Sequence, residues 1–292
     1  MSKISLVLIA GGTHGNELTG VYLIKKFQQC PDLIRRPSFE TLTLLGNPKA
    51  ALAGVRYIDK DLNRCFVRQH PENTAICGYE DQRAREIGGF FGQTGQMPVD
   101  VIVDLHSTTA NMGLTLILDD HNPFNLELAA YLSSFQPSLS VYSSVSSGRR
   151  QDSLRSLGKS GLAIEVGPIS QGTLNAELFQ KTEALIYAIL DYLEHYNGNS
   201  TPFQNTPLTI YQYVDVIDYP RNEDGEIQAM IHPELQFRDY EALNPGEPMF
   251  MTFQGEVITY EGTSTVYPVF INEAAYYEKG IAMCLTDKRQ IC

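Results

Sequence analysis

What most constrains this chain is a change of pattern about two-thirds of the way along its 292 residues. Before that point, short runs rich in Val, Ile and Leu at 4–10, 41–45, 99–105, 114–118 and 162–166 alternate with helix-like stretches at 16–29, 79–91, 125–135 and 175–196. Apolar runs without polar alternation are what strands covered on both faces require. In the last helical stretch Leu178, Leu185, Ala188, Ile189 and Tyr192 recur on one face. Such alternation predicts an α/β domain with a largely parallel or mixed sheet covered by helices. The stretch 197–207 is then dense in turn formers, as a linker is. Beyond it the helical period disappears, and 209–217, 225–231, 248–259 and 265–271 read as strands separated by turns at Asp224-Gly225 and Asn244-Pro245-Gly246. The expected organisation is an α/β domain over 1–200 and a smaller β-rich domain over 207–292.

Composition narrows the partners. A net charge of −12 disfavours nucleic acid and anionic membrane surfaces, although a few converging arginines would still admit a small anionic substrate. No stretch approaches the roughly 20 apolar residues that span a bilayer, and the run at 4–10 reads as a buried strand rather than a signal peptide. Cys30, Cys65, Cys77, Cys284 and Cys292 are scattered, with no C-x-x-C pair, which points to a reducing compartment, the cytoplasm. Each reads as a packed or surface thiol rather than a nucleophile.

The segment Gly11-Gly-Thr-His-Gly-Asn-Glu17 sets His14 and Glu17 three residues apart where an apolar strand ends. If a helix begins there, both face one side, as zinc-type ligands at the carboxyl end of a sheet. Val99-Asp-Val-Ile-Val-Asp-Leu-His106 supplies a third ligand at the end of another strand. Three protein ligands leave one position for water, whose pKa the metal lowers to roughly 7. A His-x-x-Glu alone occurs by chance, and His70, His121, His195 and His232 lack any matching pattern and read as structural or surface residues. A hydrolase also needs a base that is not a ligand. Glu165, a carboxylate among aliphatic residues in Gly161-Leu-Ala-Ile-Glu-Val-Gly-Pro168, is that candidate; its plainer reading is a partner for a nearby arginine. Arg56, Arg64 and Arg155 are candidates for bidentate carboxylate recognition, with surface arginines as the commonplace alternative.

These residues lie in motifs that resemble the succinylglutamate desuccinylase/aspartoacylase family of the zinc carboxypeptidase superfamily. The likeness runs nearly end to end, through Gly11–Gly20, Arg56-Tyr-Ile-Asp, Asp61-Leu-Asn-Arg64, Asp104-Leu-His106, Asn111–Leu118, Ile164–Pro168 and Thr265–Tyr277. It implies a zinc-carboxypeptidase-like N-terminal domain, a β domain that narrows the active-site entrance, and one Zn2+ per subunit on His14, Glu17 and His106. It also implies Glu165 as base, Asn63 and Arg64 on the substrate's α-carboxylate, and Arg56 on the scissile carbonyl. Arg155 would take the side-chain carboxylate, with Tyr276, Phe66 and Thr108 lining the pocket. The implied activity is hydrolysis of N-acyl-L-amino acids, first N-acetyl-L-aspartate, with N-acyl aromatic amino acids or N-succinylglutamate as alternatives. A homodimer accords with the family. Gln151 stands where aspartoacylase has a tyrosine that helps hold the acidic side chain.

Other classes fit less well. Gly11-Gly12-Thr-His-Gly15 does not spell G-x-G-x-x-G, and it puts His and Glu where a pyrophosphate needs bare backbone. Gly158-Lys-Ser160 lacks the earlier glycine of a phosphate loop, Ser153 standing there, and no Gly-x-Ser-x-Gly elbow is present. A zinc-binding protein of the same fold without catalysis is the remaining alternative, and retention of the base argues against it.

Overall fold

A computed structural model describes residues 3–66, 78–145, 152–200 and 207–291. The N-terminal part runs β1 (Leu6–Gly11), α1 (Leu18–Gln29), β2 (Glu40–Leu45), α2 (Pro48–Ala53), α3 (Tyr79–Phe91), β3 (Val101–Ser107) and β4 (Gly113–Leu118). It continues through α4 (Pro123–Phe135), β5 (Leu139–Ser143), β6 (Ser160–Gly167) and α5 (Ala176–Asn197). The C-terminal part contributes β7 (Leu208–Ile217), β8 (Ala229–Ile231), β9 (Pro248–Thr252), β10 (Val257–Thr259) and β11 (Met283–Ile291).

Eight strands form one mixed sheet in the order β11-β7-β5-β4-β6-β3-β1-β2. The β2, β1, β3 and β6 strands are mutually parallel, and β4 runs against β6. Alternation across these strands divides the molecule. Val101, Val103 and Leu105 of β3 and Leu162, Ile164 and Val166 of β6 face a large core that α1, α4 and α5 complete with Leu23, Phe27, Leu128, Leu185, Ile189 and Tyr192. The opposite face carries Ile102 toward Ile87 and Phe91 of α3, and beyond it Asp104, His106 and Glu165. Burial of both faces explains why these strands read as unbroken apolar runs.

The strands β8, β9 and β10 form a separate antiparallel sheet with its own core around Tyr219, Phe250, Leu243 and Met283. Two features differ from the sequence reading. Residues beyond the linker-like stretch do not all leave the main sheet, because β7 pairs in parallel with β5 and β11 pairs antiparallel with β7. The stretch 265–271 is not a strand; it makes isolated bridges from Val266 to Leu243 and from Val269 to Cys284.

Candidate active site

The first strand delivers its residues through a turn. Gly12, just past β1, has φ of +65°, a conformation that glycine adopts without penalty. Glu17 N–H donates to the His14 carbonyl at 3.2 Å, and α1 begins only at Leu18. The three-residue spacing therefore joins the two side chains across a turn and not along a helical face. Glu17 occupies the N-cap of α1, yet its carboxylate makes no capping hydrogen bond; it is turned to the histidines instead. Gly15 N–H donates to Arg56 O at 3.0 Å, which fixes the Arg56 loop beside this turn.

Strand register delivers the rest. Asp104 and His106 share one face of β3, two residues apart. Glu165 lies directly across from His106 in the parallel β3–β6 pair, so its side chain joins that face.

The geometry is that of a braced donor set. His14 Nδ1 lies 2.6 Å from Glu17 Oε1, and His106 Nδ1 lies 2.9 Å from Glu17 Oε2. Behind each ring a carboxylate accepts from Nε2, Asp61 at 3.0 Å for His14 and Asp104 at 2.8 Å for His106. A proton held on Nε2 leaves Nδ1 as the lone-pair donor. The three donor atoms lie within 4.8 Å of one another on buried residues. The Nδ1 atoms of both rings converge on the Glu17 carboxylate, an arrangement that a bound metal ion would satisfy. Two imidazoles and a carboxylate match zinc with an open position, so these residues fit that metal.

The electrostatics separate the acids. Burial pushes the Glu17 carboxyl up, but His14 and His106 outweigh it and hold it well below the usual glutamate value. Burial would lower His106, whereas Asp104 and Glu17 raise it well above the ordinary histidine value. Glu165 goes the other way: burial, reinforced by Glu17, pushes it well above the glutamate range. It is thus the acid suited to take up and return a proton. No arginine pairs with it among the described residues; Arg56 pairs with Glu17 and Arg155 with Asp119.

A cavity of about 430 Å³ opens on this cluster, lined by His14, Glu17, His106, Arg56, Asn63, Arg64, Thr108, Arg155, Glu165 and Tyr276. Arg56 Nη1 donates to Glu17 Oε1 at 3.0 Å, while its Nε is buried without a hydrogen-bond partner. Asn63 Oδ1 accepts from Leu154 N–H at 2.8 Å, and its Nδ2 lies 3.2 Å from His106 Nε2. Arg64 is half exposed and donates to the Asn63 carbonyl at 2.8 Å. Thr108 donates to Glu273, which also accepts from Thr109 N–H at 2.7 Å. Tyr276 stands on the short 3-10 helix Ala274–Lys279. Phe66 is the exception among the expected residues: it does not line the cavity but packs in the core with Leu62 and Leu154. Gln151 and His70 lie outside the described residues. The thiol of Cys65 is pushed up to about 12 by burial, consistent with an unreactive cysteine.

Sequence reasoning gave no role to Asp61, Asp104, Asp119, Glu273 or Lys279, although the first two and Glu273 lie in the motifs quoted above. Asp104 was within reach, since an acid two residues before a strand histidine shares its face. Lys279 Nζ reaches Asp61 Oδ2 at 3.1 Å, and like the Glu273 and Asp119 contacts it joins residues distant in sequence.

Comparison with known proteins agrees in extent and kind. The succinylglutamate desuccinylase/aspartoacylase catalytic domain matches residues 3–193, and the barrel-sandwich hybrid domain of the same group matches residues 206–288. A probable aspartoacylase from a Nostoc species is 60% identical over 100% of this chain and 99% of its own length. An N-acyl-aromatic-L-amino acid amidohydrolase from Rattus norvegicus is 43% identical over 98% of this chain and 91% of its own. The crystal structure of murine aminoacylase 3 superposes with a TM-score of 0.91 at 39% identity, covering 100% of this chain and 97% of that one.

Proposed function

The chain belongs to the succinylglutamate desuccinylase/aspartoacylase family, and on that premise we propose that it hydrolyses the amide bond of N-acyl-L-amino acids to a carboxylate and a free amino acid. The observation that carries the reading is the register that sets Glu165 beside His106, a carboxylate outside the donor set next to three metal-type ligands.

His14, Glu17 and His106 would hold zinc, which when bound would supply the Lewis acidity that acidifies water and polarises the amide carbonyl. Glu165 accepts a proton from the attacking water as the C–O bond forms. It returns that proton to the amine nitrogen as the C–N bond breaks. Arg56, which lines the cavity, offers its positive charge to the developing oxyanion. Asn63 and Arg64 hold the α-carboxylate, Arg155 a side-chain carboxylate, and Thr108 and Tyr276 bound the pocket. Residues 1–200 carry the chemistry, and 207–292 narrow the approach to it through Glu273, Tyr276 and Lys279, which line the cavity. We place the enzyme in the cytoplasm, where the thiols of Cys30 and Cys65 persist. No helix among the described residues is long and apolar enough to cross a membrane.

N-acetyl-L-aspartate is the first substrate, because Arg155 supplies the cation that a second carboxylate requires. A second reading, an N-acyl aromatic amino acid, is favoured by the apolar and aromatic residues Ile117, Tyr142, Tyr213, Phe270 and Ile281, which also line the cavity. Comparing kcat/KM for N-acetylaspartate, N-succinylglutamate and N-acetylphenylalanine decides between them. For the reaction itself, Glu165→Ala should retain zinc and lower kcat by at least about 100-fold; turnover at the wild-type rate would remove Glu165 from the mechanism.

A further inference from the structure

Arg155 is gripped from behind by a residue that the family motifs do not include. Its Nε donates to Asp119 Oδ2 at 2.6 Å and its Nη2 to Asp119 Oδ1 at 2.8 Å, a two-pronged pair. Both side chains are largely enclosed, 11% exposed for Arg155 and 23% for Asp119. Asp119 is itself steadied: Ser144 Oγ donates to its Oδ1 at 2.5 Å and Ser153 Oγ lies 3.4 Å from its Oδ2. Asp119 follows directly on β4, and Arg155 sits in the short helix Leu154–Leu157 that precedes β6, so neighbouring strands fix both ends.

We propose that Asp119 is the positioning residue that orients Arg155 and so determines how well the pocket accepts an acidic side chain. This rests on the reading that Arg155 receives the substrate's side-chain carboxylate. A guanidinium has five N–H groups in a planar fork. Asp119 uses the Nε–Nη2 edge, which leaves the Nη1–Nη2 edge of this cavity-lining arginine for a second carboxylate. A long side chain held in its binding rotamer beforehand loses less freedom when the ligand arrives. Because the Arg155–Asp119 pair is neutral as a unit, recognition depends on the direction of these donors more than on net charge.

Steady-state kinetics of Asp119→Asn and Asp119→Glu with N-acetyl-L-aspartate and N-acetyl-L-leucine test the assignment. Asp119→Asn should raise KM for the acidic substrate about tenfold, with kcat within about twofold and the leucine KM unchanged. Asp119→Glu, which keeps the paired charge, should recover most of the loss. Should Asp119→Asn not fold, Ser144→Ala is expected to raise the acidic KM in the same direction by a smaller factor. A KM for N-acetyl-L-aspartate that falls would make Asp119 a competitor for the guanidinium and overturn the proposal. An equal rise for both substrates would do so too, as a purely structural effect. The premise is read separately: if Arg155→Met leaves the acidic KM at the wild-type value, or wild type turns over only the neutral substrate, the assignment of Arg155 fails, whatever Asp119→Asn does.

Discussion

At the scale of single residues, the site is built from pairs in which one member does chemistry and the other aims it. His106 illustrates the cost of losing the second member, since Asp104, with 0% of its surface exposed, both fixes the ring's tautomer and raises its basicity. Asp104→Asn should weaken zinc binding by about 10–100-fold, measured by competition with a chelator; an unchanged affinity would mean that Asp104 is merely buried. His14, Glu17, His106 and Glu165 were legible in the sequence because each is announced locally, by a glycine-rich turn after an apolar run or by a charged residue inside one. Of the braces, only Asp104 was within reach. Asp61 meets His14 across 47 positions, Asp119 meets Arg155 across 36, and Glu273 meets Thr108 across 165. No pattern in the sequence states which loops will touch. Phe66 was misplaced for a related reason: resemblance carries a position, whereas whether an aromatic ring faces a cavity or the core beneath it depends on packing.

At the scale of elements, α3 was legible to the residue at both ends and the other long helices to within two, because a strong apolar face and nearby turn formers mark them. The missed strands, β5 and β11, are those whose pattern is mixed: Leu139-Ser-Val-Tyr-Ser is too short and polar to stand out, and β11 runs into the exposed Lys288-Arg289-Gln290. Close backbone approach sets the turn that carries His14. A Cβ on Gly15 would lie 2.1 Å from the Ala50 carbonyl carbon in α2, whereas one on Gly89, inside α3, would meet nothing within 4 Å. Gly15→Ala should therefore destabilise the fold by about 1–3 kcal/mol or more. Gly89→Ala should stabilise it by about 0.5–1 kcal/mol through helix propensity. Denaturant midpoints check both, and equal shifts of the same sign would refute the steric account.

At the scale of the whole molecule, the two parts are stitched together near the site, and the sequence showed the change of pattern without showing the stitching. Asp239 is one such stitch, its carboxylate accepting from Asn111 N–H and Ile271 N–H, each at 3.1 Å. Burial pushes it up to about 7 despite these donors, from an ordinary value of 3.8. The folded protein then keeps a proton that the unfolded chain releases, so the stability from this group is complete below the unfolded value and is lost as pH rises through about 7. Asp239→Asn carries no such proton, and the wild-type stability should fall relative to the variant between about pH 4 and pH 7; parallel profiles in urea titrations would contradict this. The central claim is broader, that one zinc-supported site spanning β1, β3 and β6 hydrolyses N-acyl amino acids. It is tested most directly by measuring carboxylate release from N-acetyl-L-aspartate and N-acetyl-L-phenylalanine after chelation and stepwise return of zinc. The account predicts that activity toward the preferred substrate disappears on chelation and returns in full at one zinc per chain. Undiminished activity in the chelated protein, or none toward either substrate in the zinc-loaded one, would contradict it.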